Sequence, residues 1–295
     1  MRSVNTEVKE METIIDTGVN LMHPSFDKDR EAVAAAARAD GVSPLIITGT
    51  SLEDSRKAME YAALHPGCLY ATAGLHPHDA KSYGPSTLPA LRELALRGAV
   101  AIGECGLDYN RDFSPRPAQR ECFEKQAALA VELGLPLFLH VRDAWEDFTA
   151  ILRSCGVKDM VVHCFTGSAA DLERCLEMGA FIGLTGWICD ERRGRELRSL
   201  ARLIPHDRLL IETDAPFLLP RDMKARAGRN EPRFLRHILR VVAGILGKDE
   251  DQLARETREN SRRFFGLSLH SGLDRARETA WFPQGSMDGS FRDLD

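Results

Sequence analysis

Apolar runs of strand length recur along the chain at intervals of about 25 to 40 residues, and segments with helical spacing of apolar positions separate most of them. Alternation of this kind is typical of repeated βα units, which form a parallel sheet with helical crossovers. Eight runs are predicted to be strands, over residues 13–19, 44–50, 69–76, 99–108, 135–142, 160–166, 180–186 and 208–213.

Apolar residues three and four positions apart predict the helices that connect these strands. The predicted helices cover residues 29–39, 52–64, 116–133, 144–154, 169–178 and 192–203, with two closing helices at 232–246 and 249–265. An open doubly wound sheet normally carries a glycine-rich phosphate turn after its first strand, and Gly18-Val19-Asn20 is not such a turn. We therefore predict an α/β fold of the TIM (β/α)8 barrel type.

The domain organisation follows from composition. A chain of 295 residues with 43% hydrophobic content can bury the core of one large barrel, which we place at residues 13–267. Residues 1–12 form a charged N-terminal extension, and the tail at 268–295 is rich in Ser, Gly, Asp and Arg and is expected to be loosely ordered.

Charge and apolar run length exclude some function classes. A formal net charge of -5 argues against a protein that coats nucleic acid generally, although a local basic patch is compatible with it. The first twelve residues lack the apolar segment of a secretory signal, and no apolar run approaches the length of a membrane span. We expect a cytoplasmic monomer that has no membrane partner.

Four of the predicted strands deliver a His, Glu or Asp at or near their C-terminal ends. These residues are Glu104, His140, His163 and Asp214. The C-terminal ends of parallel barrel strands meet at one mouth, and a single such residue is more often structural than a metal ligand, but four in matching positions predict a metal site. The set suits a divalent ion, or two ions bridged by a carboxylate, that would activate water for hydrolysis.

Other polar residues near the strand ends have less specific signals. His76 either faces a substrate phosphate or makes a structural hydrogen bond, and His78, two residues beyond it, is also predicted to contact the phosphate. Arg142 either binds a phosphate or pairs with Asp143 or Asp108. Glu212 is expected to orient Asp214 or a ligating histidine from behind.

A basic loop follows the last predicted strand, at residues 221–230. Loops after the seventh and eighth strands of a TIM barrel often bind phosphate, so Arg226 and Arg229 are predicted to contact a polyanionic substrate. Aromatic side chains can stack on bases, but core packing explains the candidates equally well. The candidates are Phe113, Trp145 and Trp187.

Taken together, these motifs closely resemble those of the TatD family of metal-dependent deoxyribonucleases. The resemblance spans about residues 14–267, and its motifs are jointly very specific. They are GLHPH at 74–78, IGECGLD at 102–108, HVRD at 140–143, HCFTG at 163–167, GLTGW at 183–187, ETDAP at 212–216 and RNEP at 229–232.

The resemblance implies an amidohydrolase-like TIM barrel that hydrolyses phosphodiester bonds in DNA with a divalent metal ion. It further implies that Glu104 is the principal or bridging ligand and that His140 and His163 are further ligands. Asp214 would be a ligand or the group that takes the proton of the attacking water, and His76 would face the scissile phosphate. Magnesium is the expected ion, with manganese and zinc as alternatives, in one or two copies.

The chain departs from the family pattern in its first strand. Most relatives carry a His-x-His pair where this chain has Gly18 and Asn20. Glycine offers no side-chain ligand and asparagine offers a neutral oxygen, so one metal position is weakened and magnesium is favoured over zinc. This variant, together with residues 187–194, resembles a subgroup associated with 3′-to-5′ exonuclease action on single-stranded DNA and RNA and with DNA repair or degradation.

Two alternatives remain open from the sequence. An amidohydrolase acting on a small cyclic amide or ester uses similar ligands on a similar barrel. The missing His-x-His pair, the cationic loop and the lack of a lysine at the end of a mid-barrel strand argue against it. A non-catalytic binding protein is the second alternative, and the retained ligand set argues against that one.

Overall fold

The computed structural model describes residues 11–192, 194–223 and 228–267. Each of the eight predicted strand segments overlaps an observed strand, so the predicted βα repeat is confirmed for the described residues. The strands are β1 (Ile14–Val19), β2 (Val42–Ile47), β3 (Leu69–Ala71), β4 (Ile102–Asp108), β5 (Leu137–Arg142), β6 (Met160–Val162), β7 (Phe181–Leu184) and β8 (Leu209–Ile211). The predicted C-terminal tail lies outside the described residues.

Helices alternate with these strands and cover the outside of the sheet. They are α1 (Arg30–Ala39), α2 (Leu52–Ala63), α3 (Thr87–Leu96), α4 (Arg116–Leu133), α5 (Trp145–Ser154), α6 (Ala169–Glu177), α7 (Arg195–Ala201), α8 (Leu235–Leu246) and α9 (Glu250–Phe265). The sequence prediction did not include α3. Its Pro89 falls in the first turn, where a helix does not need the missing N–H, and Leu91 and Leu94 are buried.

The strands form a closed barrel from two parallel sheets. β1, β2 and β3 pair in order, and β4 to β8 pair in order. Two isolated parallel bridges join the sheets, between Ala73 and Ile102 and between Val19 and Ala215. The C-terminal ends of all eight strands therefore face one mouth, as the sequence pattern predicted.

Inward-facing residues divide the barrel interior into an apolar layer and a polar mouth. Phe138 of β5 is fully buried in an apolar cluster that includes Phe264 and Phe265 of α9. His140 lies two residues after Phe138, and since residues i and i+2 of a strand share a face, it projects into the same interior one step nearer the mouth. Burial of each such phenylalanine contributes about 1.5–3 kcal/mol, so the polar mouth rests on a stable apolar floor.

Within the described part of the chain, none of the helices is both long and apolar enough to cross a lipid bilayer.

Candidate metal centre

Glu104 is the hub of a histidine cluster at the mouth of the barrel. Its Oε1 atom lies 2.8 Å from His163 Nε2 and 3.0 Å from His140 Nδ1. His76 Nε2 approaches the same oxygen at 3.2 Å. The three imidazoles follow or end three different strands, β3, β5 and β6, so the closed barrel brings together residues that are far apart in sequence.

The electrostatics of the cluster favour an ionised Glu104. Burial alone would raise the pKa of Glu104, but the charges of His163 and His76 and the imidazole hydrogen bonds hold it well below its usual value. Burial likewise opposes a charge on His163, yet Glu104 and Glu212 raise the pKa of His163 well above its usual value. Burial lowers the pKa of His76, which Glu104 only partly offsets.

These donors fit a divalent cation. His76, Glu104 and His140 each offer one ligand atom, and the three atoms lie within 4.8 Å of one another. His140 Nε2 and His163 Nδ1 are buried and make no hydrogen bond with any described residue. Buried nitrogens normally find a partner, so imidazoles with unused capacity around a carboxylate are typical of a metal site.

Asp214 lies on the other side of the mouth, just beyond β8. Its Oδ1 accepts a hydrogen bond of 2.8 Å from Asn20 Nδ2, and its backbone N–H donates to Gly18 O at 2.8 Å. Its φ of 52° lies in the left-handed region, which non-glycine residues seldom occupy outside functional sites and turns. Burial, opposed by the charge of His163, raises the pKa of Asp214 to about 7.

The glycine that departs from the family pattern is explained by Glu212. A Cβ atom at Gly18 would lie 2.7 Å from Glu212 Oε2 and 3.0 Å from Phe138 Cζ. Glu212 is fully buried, and its Oε1 accepts the backbone N–H of Cys164 at 2.5 Å. The Glu212 carboxylate thus fills the space that a first-strand histidine at position 18 would need.

Glu212 also supports the cluster from behind. Its Oε1 lies 3.5 Å from His163 Nδ1, on the side of the imidazole away from Glu104. A carboxylate behind a ligating histidine fixes the orientation of the ring. This placement agrees with one of the two orienting roles that the sequence left open for Glu212.

Asp108 occupies the end of β4 and holds the neighbouring histidines. Its Oδ2 lies 2.7 Å from His78 Nε2 and 3.4 Å from His140 Nε2, and its Oδ1 accepts the backbone N–H of Arg111 at 2.9 Å. Burial would raise the pKa of Asp108, but its contacts with His140 and His78 lower it well below its usual value. His78, predicted to contact a phosphate, therefore stands at the mouth with Asp108 as its partner.

A cavity of about 540 Å³ opens above these residues. Two arginines line it, Arg142 as predicted from the sequence and Arg111, which the sequence prediction missed. Arg111 follows the end of β4, where its backbone N–H donates a hydrogen bond to Asp108 Oδ1. Its position just after a strand end was the sequence feature that could have identified it. The other lining residues are Asn20, Met22, His23, Pro24, Thr48, Thr50, Asp54, His76, His78, Asp79, Glu104, Asp108, His140, Val141, His163, Cys164, Thr166, Trp187, Asp214, Phe217 and Leu218.

The basic loop after β8 has a different arrangement from the cavity arginines. Arg229 Nη2 lies 2.5 Å from Asp29 Oδ2 and 3.2 Å from Glu231 Oε1, and its guanidinium stacks 4.7 Å from the centre of the Phe26 ring. Arg229 is absent from the cavity lining, and its charge is balanced by two carboxylates. Arg226 lies outside the described residues.

The three aromatic candidates occupy three different environments. Trp187 lines the cavity. Trp145 packs on the hydrophobic core, 5.8 Å from the Phe165 ring. Phe113 is 55% exposed and contacts the edge of His78 at 4.7 Å. Of the three, Trp187 is the one placed to meet a base inside the cavity.

Comparison with known proteins gives a consistent family. The model of the family described as TatD related DNase matches residues 15–266. The chain belongs to the TatD-related DNase family. Membership confirms the predicted TIM barrel and the predicted class, a metal-dependent hydrolase of the nuclease type, and the His and Glu groups described above offer the metal a place to bind.

Individual TatD relatives match over nearly their whole length. A 3'-5' ssDNA/RNA exonuclease TatD from Erwinia tasmaniensis is 52% identical over 259 residues, which cover 86% of this chain and 100% of the relative. One from Klebsiella pneumoniae is 48% identical, covering 87% of this chain and 99% of the relative. The crystal structure of a TatD homolog from Escherichia coli K12 superposes with a TM-score of 0.80 at 28% identity, covering 86% of this chain and 98% of that one.

Proposed function

We propose that this protein is a 3′–5′ exonuclease that hydrolyses single-stranded DNA and RNA with magnesium. The observation that carries the proposal is Glu104 Oε1, which lies within 3.2 Å of three imidazole nitrogens at the floor of an arginine-lined cavity. The names of the relatives at 48–52% identity support the choice of substrate and direction.

In this proposal Glu104, His140 and His163 hold one or two divalent ions, while Asp214 takes the proton of the attacking water. A bound ion polarises a phosphoryl oxygen and lowers the pKa of water, so that hydroxide is available near neutral pH. Magnesium is favoured over zinc because Asn20 adds an oxygen donor where an imidazole stands in most relatives, and manganese, which accepts the same oxygen ligands, is the alternative. Glu212 and Asp108 hold the imidazole rings of His163 and His140 in place from behind.

Asp214 is the proposed acceptor of the proton that the attacking water loses. Asn20 occupies its Oδ1, while its Oδ2 makes no hydrogen bond with the described residues and is left for the water. Since Asp214 lines the cavity opposite the histidines, water held between the two sides would be within its reach. Orientation by Asn20 keeps the carboxylate from rotating away from that water.

The substrate phosphate is proposed to lie beside His76, with Arg142 and Arg111 at the rim of the cavity and His78 close by. Arginine contacts to phosphates give affinity without sequence preference, which suits an enzyme that removes successive nucleotides. A volume of about 540 Å³ is within the range of small-ligand sites and accommodates one terminal nucleotide, with Trp187 available to stack on its base. The enzyme is further proposed to act as a monomer.

A time course with 5′-labelled single-stranded DNA and RNA tests the function. With magnesium, we expect a ladder that shortens one nucleotide at a time and disappears when a chelator is added. A 3′-terminal phosphorothioate should delay the first cleavage, because attack begins at that end. Scattered internal products would indicate an endonuclease instead, and immediate release of the labelled 5′ nucleotide despite the 3′ block would indicate attack from the 5′ end.

The same preparation should be tested on cyclic amides and esters. Turnover of those compounds, with nucleic acids left intact, would establish the small-molecule hydrolase instead. Retention of single strands on the protein without any shortening, with or without metal, would establish a binding protein. Size-exclusion chromatography with light scattering checks the monomer.

A further inference from the structure

A second group of metal-ligating side chains lies apart from Glu104. Cys189 ends the short 3-10 helix that follows β7, Asp222 lies in the segment after β8, and His237 is in the first turn of α8. Each offers one ligand atom, and the three atoms lie within 4.8 Å of one another. None of the three residues lines the catalytic cavity.

Part of this group is already assembled. His237 Nε2 lies 2.9 Å from Asp222 Oδ1, which joins α8 to the segment after β8. The side chains of His237 and Asp222 are 22% and 36% exposed, so a cation in solution has access to them. Cys189 closes the group from the interior side, where it is fully buried.

The Cys189 thiol has capacity that the fold does not use. Its sulfur makes no hydrogen bond with the described residues. Cysteine binds a metal ion as the thiolate, and a cation placed between the Cys189 sulfur and the Asp222 carboxylate would stabilise both negative groups.

Close packing holds the two loops that provide Cys189 and Asp222. A Cβ atom at Gly186 would lie 2.3 Å from the backbone oxygen of Leu218, so only a glycine permits this approach. The 3-10 helix that contains Gly186 and Cys189 also packs against α8, which carries His237. Three separate segments are thus held together at the point where their ligating atoms meet.

We propose that Cys189, Asp222 and His237 form a second cation site, selective for zinc or a similar borderline metal. A thiolate and an imidazole prefer such ions, whereas magnesium prefers oxygen ligands. Three protein ligands leave a fourth tetrahedral position for water. The site therefore differs in metal preference from the Glu104 centre, which contains no sulfur ligand.

Occupancy of this site has a consequence for the catalytic cavity. Trp187 and Leu218 both line that cavity, and they precede Cys189 and Asp222 by two and four residues. A metal that ties the two loops to α8 would restrain both cavity walls. This consequence rests on the proposed nuclease function, whereas the existence of the site does not.

Cobalt titration of the full chain tests the site, because cobalt bound to a thiolate gives a charge-transfer absorption in the near ultraviolet. The titration is made with excess magnesium, which occupies oxygen-rich positions. We expect the band in the wild type, its loss in Cys189→Ser, and its displacement by zinc but not by further magnesium. His237→Gln should weaken cobalt binding by more than about tenfold.

Cys164→Ser is the matched control, since Cys164 is the cysteine that lines the catalytic cavity among the described residues. The band should persist in Cys164→Ser and also in Glu104→Gln, whose nuclease activity is lost, so failure of the proposed function and failure of this site are distinguishable. Absence of the band from the wild type, its survival in Cys189→Ser or unchanged binding in His237→Gln would overturn the proposal. Should Cys189→Ser not fold, the partly exposed His237 variant decides the question.

Discussion

Glu104 and Asp214 face each other across the same barrel mouth and differ in almost every respect except their carboxylate. Glu104 is surrounded by three imidazoles, and its pKa is held well below the usual value despite burial. Asp214 has one neutral amide partner, Asn20, and burial raises its pKa to about 7. Opposite surroundings suit one chemical group to opposite tasks, and they are the basis for the roles proposed above, Glu104 as a permanent anion and Asp214 as the proton acceptor.

The difference between Glu104 and Asp214 originates in the side chains that neighbouring strands place around each carboxylate. β3, β5 and β6 bring imidazoles to the Glu104 side, whereas on the β1 side Glu212 fills the space in front of Gly18. A histidine at position 18 would displace Glu212, which in turn supports His163. A side chain larger than glycine at position 18 is therefore coupled to the position of Glu212 and, through it, to His163.

The largest effect is expected when the negative charge of Glu104 is removed. Glu104→Gln keeps the size of the side chain but eliminates the charge that three imidazoles share, so kcat should fall by about 10³-fold or more with the fold intact. Nuclease kinetics measure kcat, and circular dichroism shows whether the fold is intact. Glu121→Gln, the same change on the exposed side of α4, should retain full activity. Near-normal turnover by Glu104→Gln would remove Glu104 from the mechanism.

A smaller loss is expected when the partner of Asp214 is removed. Asn20→Ala deletes the 2.8 Å hydrogen bond to Asp214 Oδ1 and leaves the carboxylate free to rotate. Loss of an orienting partner typically costs 10- to 100-fold, so kcat should fall by about that factor with a smaller change in KM. Asn110→Ala, whose amide contacts Asp143 outside the centre, is the control. A change confined to KM would assign Asn20 to substrate binding.

The barrel and the polar residues at its strand ends were predictable from the sequence. The strand periodicity and the polar residues at strand ends predicted the barrel and the convergence of Glu104, His140 and His163, because parallel strands place their C-terminal ends together. Asp214 followed from the same rule. Helix α3 was missed because its proline weakens a helical pattern that tertiary packing then stabilises.

Contacts between distant segments were beyond the sequence pattern. The pairing of Arg229 with Asp29 spans 200 residues, and nothing in the local sequence of either residue indicates it. The same holds for Glu212 in front of Gly18, which depends on how β8 packs beside β1. Periodicity determines which face a side chain uses, whereas its partner depends on the closed barrel.

The Asp214 side can be examined further through Asp16, which lies behind it. Asp16 is fully buried, and its Oδ1 accepts a hydrogen bond of 2.9 Å from the Thr213 N–H. Burial raises the pKa of Asp16 from 3.8 to about 8. A carboxyl whose folded pKa is raised contributes stability at low pH that is lost as pH rises from about 4 through 8, with a slope of at most about 1.4 kcal/mol per pH unit. Asp16→Asn mimics the protonated form and should flatten this decline.

Urea unfolding at several pH values between 5 and 8 measures this effect. Asp159→Asn, an exposed site before β6, should leave the slope of the wild type unchanged. A variant at Asp16 that retains the full wild-type slope would show that another group causes the decline. We expect the free energy of unfolding of Asp16→Asn, measured relative to that of the wild type, to be larger at pH 8 than at pH 5.

The smallest effect concerns the cations that flank the two carboxylates. Arg111 and Arg142 line the cavity near Glu104 and have no carboxylate partner among the described side chains, whereas Arg229, in the loop after β8, is neutralised by Asp29 and Glu231. Removing Arg111 and Arg142 should weaken binding of all sequences alike. The salt dependence should become shallower by about 0.7 in log–log slope for each arginine that contacts a phosphate.

Binding of labelled single strands across a salt series, measured in the Glu104→Gln background to prevent cleavage, gives that slope directly. Arg56→Ala with Arg153→Ala removes the same charge from exposed helix positions outside the cavity and should leave the slope unchanged. Equal flattening by both pairs would mean that the general field of the protein, rather than local contact, attracts the strand. If Arg229→Ala flattened the salt dependence of binding more than removal of Arg111 and Arg142 does, the strand would lie on the Asp214 side of the mouth. Arg229 would then contact phosphate despite the two carboxylates that balance its charge.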